Sequence, residues 1–216
     1  MRRDERGFTL IELNVATLIS GIILAAAVAL VVVILRDTSY VEARTQAQSE
    51  VNVAFERLVV ELREAETADL GGWYVNTEVR EMTATKLVFT SDVASGFDGP
   101  ELLTYEVTNC SAGECELVRT VVGRGGFTGG IADYAGGTTL QTTVVVNNVI
   151  PTTPTTPLFE GIDWTGGIRT ETASCDSATA SPCQFDAVDI DIQVGLRASS
   201  RPPQRFEEYV RIRNHG

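Results

Sequence analysis

The sequence predicts an α+β protein, one long N-terminal helix followed by an antiparallel β-sheet. Apolar residues recur at helical spacing only ahead of Gly71-Gly72. Behind that glycine pair come short β-type runs separated by turn residues, and strands grouped after one helix indicate a sheet packed on that helix. A third observation concerns the helix alone: from Phe8 to Leu35 the only charge is Glu12.

As a helix, Phe8–Leu35 reaches about 42 Å, more than the ~30 Å hydrocarbon core of a bilayer. Arg2, Arg3 and Arg6 precede it and a single flanking Arg36 follows. By the positive-inside rule the N-terminus faces the cytoplasm and residues 37–216 lie outside. A cleaved secretory signal fits less well. Ala27-Val28-Ala29 matches the small-residue cleavage pattern, but the apolar run continues through Leu35, and Glu12 stands at its start. An ordinary anchor explains the span but not Glu12, since a carboxylate deep in an apolar helix costs roughly 2.5–3.5 kcal/mol on insertion scales.

The stretch Arg-Gly-Phe-Thr-Leu-Ile-Glu-Leu (6–13) resembles the processing motif of type IV prepilins and type II secretion pseudopilins. It has a short basic leader, a glycine directly before Phe8, and a glutamate four residues beyond that phenylalanine. The resemblance implies a type IV pilin-like fold, cleavage between Gly7 and Phe8 by a prepilin peptidase, and N-methylation of the new Phe8 amine. It also implies that Glu12 pairs with the N-terminal amine of a neighbouring pilin or pseudopilin subunit. The physics agrees, because a cation and a carboxylate that are each costly in an apolar bundle offset one another when paired. Two departures stand out. Asn14 replaces an apolar residue and is able to hydrogen-bond between helices. No proline interrupts Phe8–Leu35, which leaves Gly21 as the one weak point of the helix.

Beyond Arg36 the composition changes and the period does not. Ala47, Val51, Ala54, Phe55, Leu58, Leu62 and Ala65 form one apolar stripe, with Glu50, Glu56, Arg57, Glu61, Arg63, Glu64 and Glu66 read as falling largely between them. A helix from about Phe8 to Asp69 follows, ended by Gly71-Gly72. Strand-like runs occupy 86–90, 102–107, 116–122, 140–149, 187–194 and 206–212. Val188-Asp189-Ile190-Asp191-Ile192-Gln193 has the period of a half-buried antiparallel strand. The expected organisation is a leader over 1–7, a membrane or filament-core helix over 8–35, its amphipathic continuation over 36–70, and an extracytoplasmic β-rich domain over 71–216.

Further features extend the resemblance toward W-type minor pilins and J-type pseudopilins. They are the Glu61-Leu62-Arg63-Glu64-Ala65 end of the helix, the Leu158–Trp164 segment, the Val-x-Ile-x-Ile strand and the terminal Val210-Arg211-Ile212-Arg213-Asn214. Members of this kind are thought to initiate or cap a filament.

A net charge of −12 disfavours nucleic acid as a partner, since phosphate backbones are held by Lys and Arg. The single histidine, His215, lies near the C-terminus and cannot readily serve a Ser-His-Asp triad, so no catalytic constellation is expected. Cys110, Cys115, Cys175 and Cys183 fall on the side expected to be oxidising, where disulfides persist. Of the three connectivities open to four cysteines, the local one, Cys110–Cys115 with Cys175–Cys183, is preferred. Zinc is disfavoured by the spacing and the missing histidines. The stretch 123–130 is glycine-rich but lacks the Lys-Ser/Thr ending of a phosphate loop, and reads as a mobile surface loop. Pro151–Pro157 reads as a stiff connector. Asp186, Asp189 and Asp191 offer oxygen ligands to calcium without a calcium-loop spacing, so a solvated face is expected, and no cofactor is called for. The competing function from another class is a membrane-anchored extracytoplasmic module that binds a ligand on its sheet.

Overall fold

A computed structural model of the chain describes residues 9–65, 79–93, 100–111, 113–128, 131–134, 136–150, 157–165, 168–172, 174–176, 183, 186–196 and 202–212. Gly7, Phe8, Gly71, Gly72, the prolines at 151 and 154, and His215 lie outside these residues. The chain divides into two units, Met1–Arg44 and Thr45–Gly216, each described by itself.

The helix α1 runs from Leu10 to Arg63 without a break. No proline interrupts it, and it passes through Gly21. In the first unit several hydroxyls bond back along the helix. The Thr17 and Thr38 hydroxyls donate to the Asn14 and Ile34 carbonyls at 2.9 Å, the local solution open to Ser and Thr in a helix.

In the second unit the amphipathic stripe becomes the core. Ala47, Val51, Ala54, Phe55, Leu58 and Leu62 are all buried, the last with no exposed surface. Full burial of a leucine contributes roughly 1.5–3 kcal/mol. The helix ends earlier than Gly71-Gly72 suggests. Glu64 N–H still reaches the Val60 carbonyl at 3.0 Å, but Ala65 leaves the helix and forms an antiparallel bridge with Ser91. A sheet hydrogen bond captures the chain there before the glycines are reached.

Among the described residues twelve strands follow: β1 (Val79–Thr83), β2 (Lys86–Ser91), β3 (Glu101–Ser111), β4 (Glu114–Val122), β5 (Gly126–Thr128), β6 (Ile131–Asp133), β7 (Thr139–Val149), β8 (Phe159–Thr165), β9 (Ile168–Thr172), β10 (Cys175–Asp176), β11 (Ala187–Val194) and β12 (Gln204–Arg211). Ten of them form one antiparallel sheet in the order β10-β1-β2-β3-β4-β7-β11-β8-β9, with β12 also paired to β11. All six runs expected from the sequence are strands, and β1, β5, β6, β8, β9 and β10 are additions.

β12 pairs with β11 along its whole length, from Ala187↔Arg211 to Val194↔Gln204. β7 and β8 divide the remaining edge of β11. Val149 stands opposite Val194, and Phe159 opposite Ile190. Between them Ile150 N–H donates to Gln193 O, and Asp191 N–H to Leu158 O. Ile150 and Leu158 are thus held on the same edge of β11.

The glycine-rich stretch differs from the surface loop expected of it. β5 and β6 pair as a small hairpin, and Gly123 N–H donates to Thr138 O at 2.9 Å. Backbone meets backbone here. A Cβ on Gly137 would lie 2.1 Å from the Gly123 carbonyl oxygen, and one on Gly125 2.5 Å from the Gly136 carbonyl carbon. These glycines serve close approach, not mobility.

Gly137→Ala is expected to lower unfolding stability of the full chain in detergent by about 1–3 kcal/mol, the usual cost of overpacking. Gly136→Ala, where an added Cβ meets nothing within 4 Å, should be much closer to wild type. Urea denaturation followed by circular dichroism checks both.

Candidate functional site

The first described turn of α1 is a reciprocal cap. Thr9 precedes the helix, and Glu12 is its third residue. Thr9 donates its backbone N–H (3.0 Å) and its hydroxyl (2.8 Å) to Glu12 Oε2, while Glu12 N–H donates to Thr9 Oγ1 at 3.4 Å. Thr-x-x-Glu is the capping-box pattern, which satisfies amide donors that have no partner within the helix. A second role of Glu12, beyond a charge in need of a cation, is thus signalled in the sequence by Thr9 three residues before it.

The carboxylate also sits on the positive end of the helix dipole. From Leu10 (79 % exposed) to Leu35 (63 % exposed) the large apolar side chains of this unit remain uncovered. Among the described residues, α1 is the one helix long and apolar enough to cross a membrane. An uncovered surface of this size needs lipid or other helices to shield it from water.

The second unit holds a polar cluster that the sequence reading did not foresee. Glu61, placed there among the solvated charges, is 6 % exposed. Arg119 of β4 and Tyr105 of β3 are cross-strand partners and are both buried. Arg119 grips the Glu61 carboxylate in two places, Nη2 to Oε1 at 2.5 Å and Nε to Oε2 at 3.0 Å. Tyr105 donates its hydroxyl to Oε2 at 2.6 Å, and the more exposed Arg57 donates to Oε1 at 3.0 Å. Arg119 Nη1 donates in turn to Gln141 Oε1 at 3.2 Å. Burial, followed by the Glu61 charge, pushes the Tyr105 phenol far above its ordinary value. Burial works against the Arg119 cation, but the hydrogen bonds and charge of Glu61 outweigh it, so its guanidinium is held more firmly protonated.

Two disulfides are present, Cys110–Cys115 at the β3–β4 turn and Cys175–Cys183 beside β10. Gly113, at φ +87°, makes the first turn possible. Asp191 is engaged by Arg205 at 2.8 Å, and Asp189 lies 3.6 Å from Arg169. Among the described residues no group of His, Cys, Asp and Glu is placed to hold a metal ion.

Comparison with known families bears on the first of these features. Residues 2–28 match the prokaryotic N-terminal methylation motif. This match indicates a type IV pilin-like protein. No curated protein and no solved structure matches the chain. Motif and apolar helix together support a membrane-anchored pilin-like subunit, and the motif points to a structural role over an enzymatic one.

The buried cluster makes two predictions. Arg119→Met leaves Glu61 buried against too few donors and should cost about 3–5 kcal/mol in denaturant unfolding, whereas Glu61→Met combined with Arg119→Met should recover much of that loss. Because the folded-state Tyr105 pKa is raised, its contribution to stability is complete below the ordinary phenol value near 10 and declines as pH rises past it. Tyr105→Phe should flatten that decline relative to wild type, as measured by unfolding free energy between about pH 9 and 11.

Proposed function

We propose that this chain is a minor pilin or pseudopilin, a structural subunit that helps initiate or cap a type IV pilus or a type II secretion pseudopilus. The methylation motif over residues 2–28, set on a helix whose apolar surface nothing in its own unit covers, is the observation that carries this reading. A prepilin peptidase removes residues 1–7 by cutting between Gly7 and Phe8, and the new Phe8 amine is methylated. The subunit then waits in the cytoplasmic membrane, N-terminus inward and the β-rich domain outside.

Assembly draws the helix out of lipid and into a bundle with other pilin or pseudopilin subunits. Glu12 meets the N-terminal amine of a neighbour, which offsets the cost of burying either charge alone. The Thr9 bonds favour this role, because they hold the carboxylate at the very start of the helix, four residues from the amine that cleavage creates. The W-type and J-type kinship rests on the late sequence features and belongs to this proposal. The two disulfides suit an oxidising compartment.

N-terminal sequencing with intact mass tests the processing. A mature chain beginning at methylated Phe8 is expected, and an unmodified chain beginning at Met1 would overturn the reading. Glutamine preserves the capping box but not the charge, so Glu12→Gln separates the two roles of this residue. It should fail to co-purify with the other pilin subunits from cross-linked membranes as fully as Glu12→Ala does. Co-purification at the wild-type level would assign Glu12 to the cap alone.

A further inference from the structure

One face of the sheet carries two large aromatic side chains that the domain leaves half uncovered. Trp164 of β8 is 51 % exposed and Tyr209 of β12 is 46 % exposed. They reach toward each other across β11, with Trp164 Nε1–H donating to Tyr209 Oη at 3.3 Å. The register fixes the shared face: Asp189 of β11 stands directly between Glu160 of β8 and Tyr209 of β12. Ala187 and Ile162, paired beside them, are fully buried. The rings thus flank a closed apolar floor.

The surroundings of the rings are acidic. Glu160, Asp189 and Glu207 gather within one or two register positions of Tyr209. Arg169 is drawn to Asp189 and Glu171, and Arg205 to Asp191 and Glu207, so each guanidinium is shared between two carboxylates. Among the described residues, Glu160, Glu171, Asp189, Asp191 and Glu207 outnumber Arg169, Arg205 and Arg211 on this face. Burial first, and neighbouring carboxylates after it, raise the Glu160 pKa. Burial also raises that of Asp189, with Arg169 opposing and Glu207 adding to the rise. A further cation would relieve that repulsion.

We propose that the Trp164–Tyr209 face is a docking surface for a basic peptide segment of a partner protein, with an Arg or Lys side chain over the rings and its charge against Asp189 and Glu160. Exposed Trp and Tyr are the residues that dominate binding energy at protein interfaces. Their ring faces attract cations, and the surrounding carboxylates supply the matching field. A second copy of this chain is a poor occupant, because the chain carries a net charge of −12 and this face is itself acidic. The proposal holds whether or not the N-terminus is processed, so the two fail independently.

The chain contains two tryptophans, Trp73 and Trp164, so Trp73→Phe leaves Trp164 as the sole indole reporter in the full chain in detergent. Titration with a synthetic Arg-Gly-Lys-Gly repeat peptide should shift Trp164 emission, and an Asp-Gly repeat should not. By calorimetry, Trp164→Ala and Asp189→Asn should each weaken the basic peptide by about fivefold or more. The conservative Tyr209→Phe guards against misfolding and should keep most of the affinity. Glu56→Gln, which removes one charge from the exposed helix surface, should leave the affinity unchanged. Equal binding by Trp164→Ala and wild type, or an equal loss in Glu56→Gln, would reduce the effect to net charge and overturn the proposal. So would absence of peptide binding, whether or not a neutral oligosaccharide shifts Trp164, or dimerisation of the chain through this face in sedimentation.

Discussion

A carboxylate from the helix and a guanidinium from the sheet meet out of water, and the placement of one element on the other depends on that meeting. Removing either ion from solvent costs several kcal/mol, which only close geometry and full hydrogen bonding repay. Glu61 obtains both, with two contacts from Arg119, one from Tyr105 and one from Arg57. Leucines and valines around the cluster add burial without direction. The ion pair adds direction. Sliding the helix by one turn would set Arg57 or Ala65 opposite Arg119, a repulsion in the first case and an unpaired buried cation in the second. Axial position and rotation of this part of the helix are therefore specified together.

The two units use one helix under opposite rules. Before Arg36 its side chains are mostly apolar and uncovered, and the Thr17 hydroxyl bonds back to the Asn14 carbonyl. From Ala47 onward a narrow stripe is buried and most of the remaining positions are polar or charged, with Val53 and Val60 as exposed exceptions. Among the described residues no break marks the change, so one continuous helix is uncovered in the first unit and contributes a buried stripe to the second. The cap at Thr9 and Glu12 and the bridge at Ala65 show what ends it: side-chain hydrogen bonds at the start, sheet pairing at the finish.

The helix stripe, the alternating strand β11 and the apolar N-terminal span were legible because each is a periodic pattern within one element. Glu61 was misread although it stands at a stripe position, three residues after Leu58 and one before Leu62. Arg119 likewise takes the inward position between Leu117 and Val121 on β4. A charge that breaks a core pattern invites a search for its opposite, but the partner lies on another element, and no local period reveals that. β8 escaped notice because Gly161 and Asp163 interrupt its apolar alternation. Its pairing with β11 is long-range and leaves no local trace. Gly125 was misjudged for a related reason, since composition does not distinguish a floppy loop from two backbones in contact.

The sheet order has one more implication. β9 and β10 lie at opposite ends of the strand path, although only residues 173 and 174 separate them in sequence. The sheet must roll until its margins nearly join, and Leu158 N–H bonded to the Ala84 carbonyl crosses that seam. Such a hoop shuts only when Glu81 finds Asp176, a match between distant parts of the chain that loop entropy makes slow. The seam therefore joins the two ends of the strand path, and the Cys175–Cys183 bond anchors the short strand that completes it.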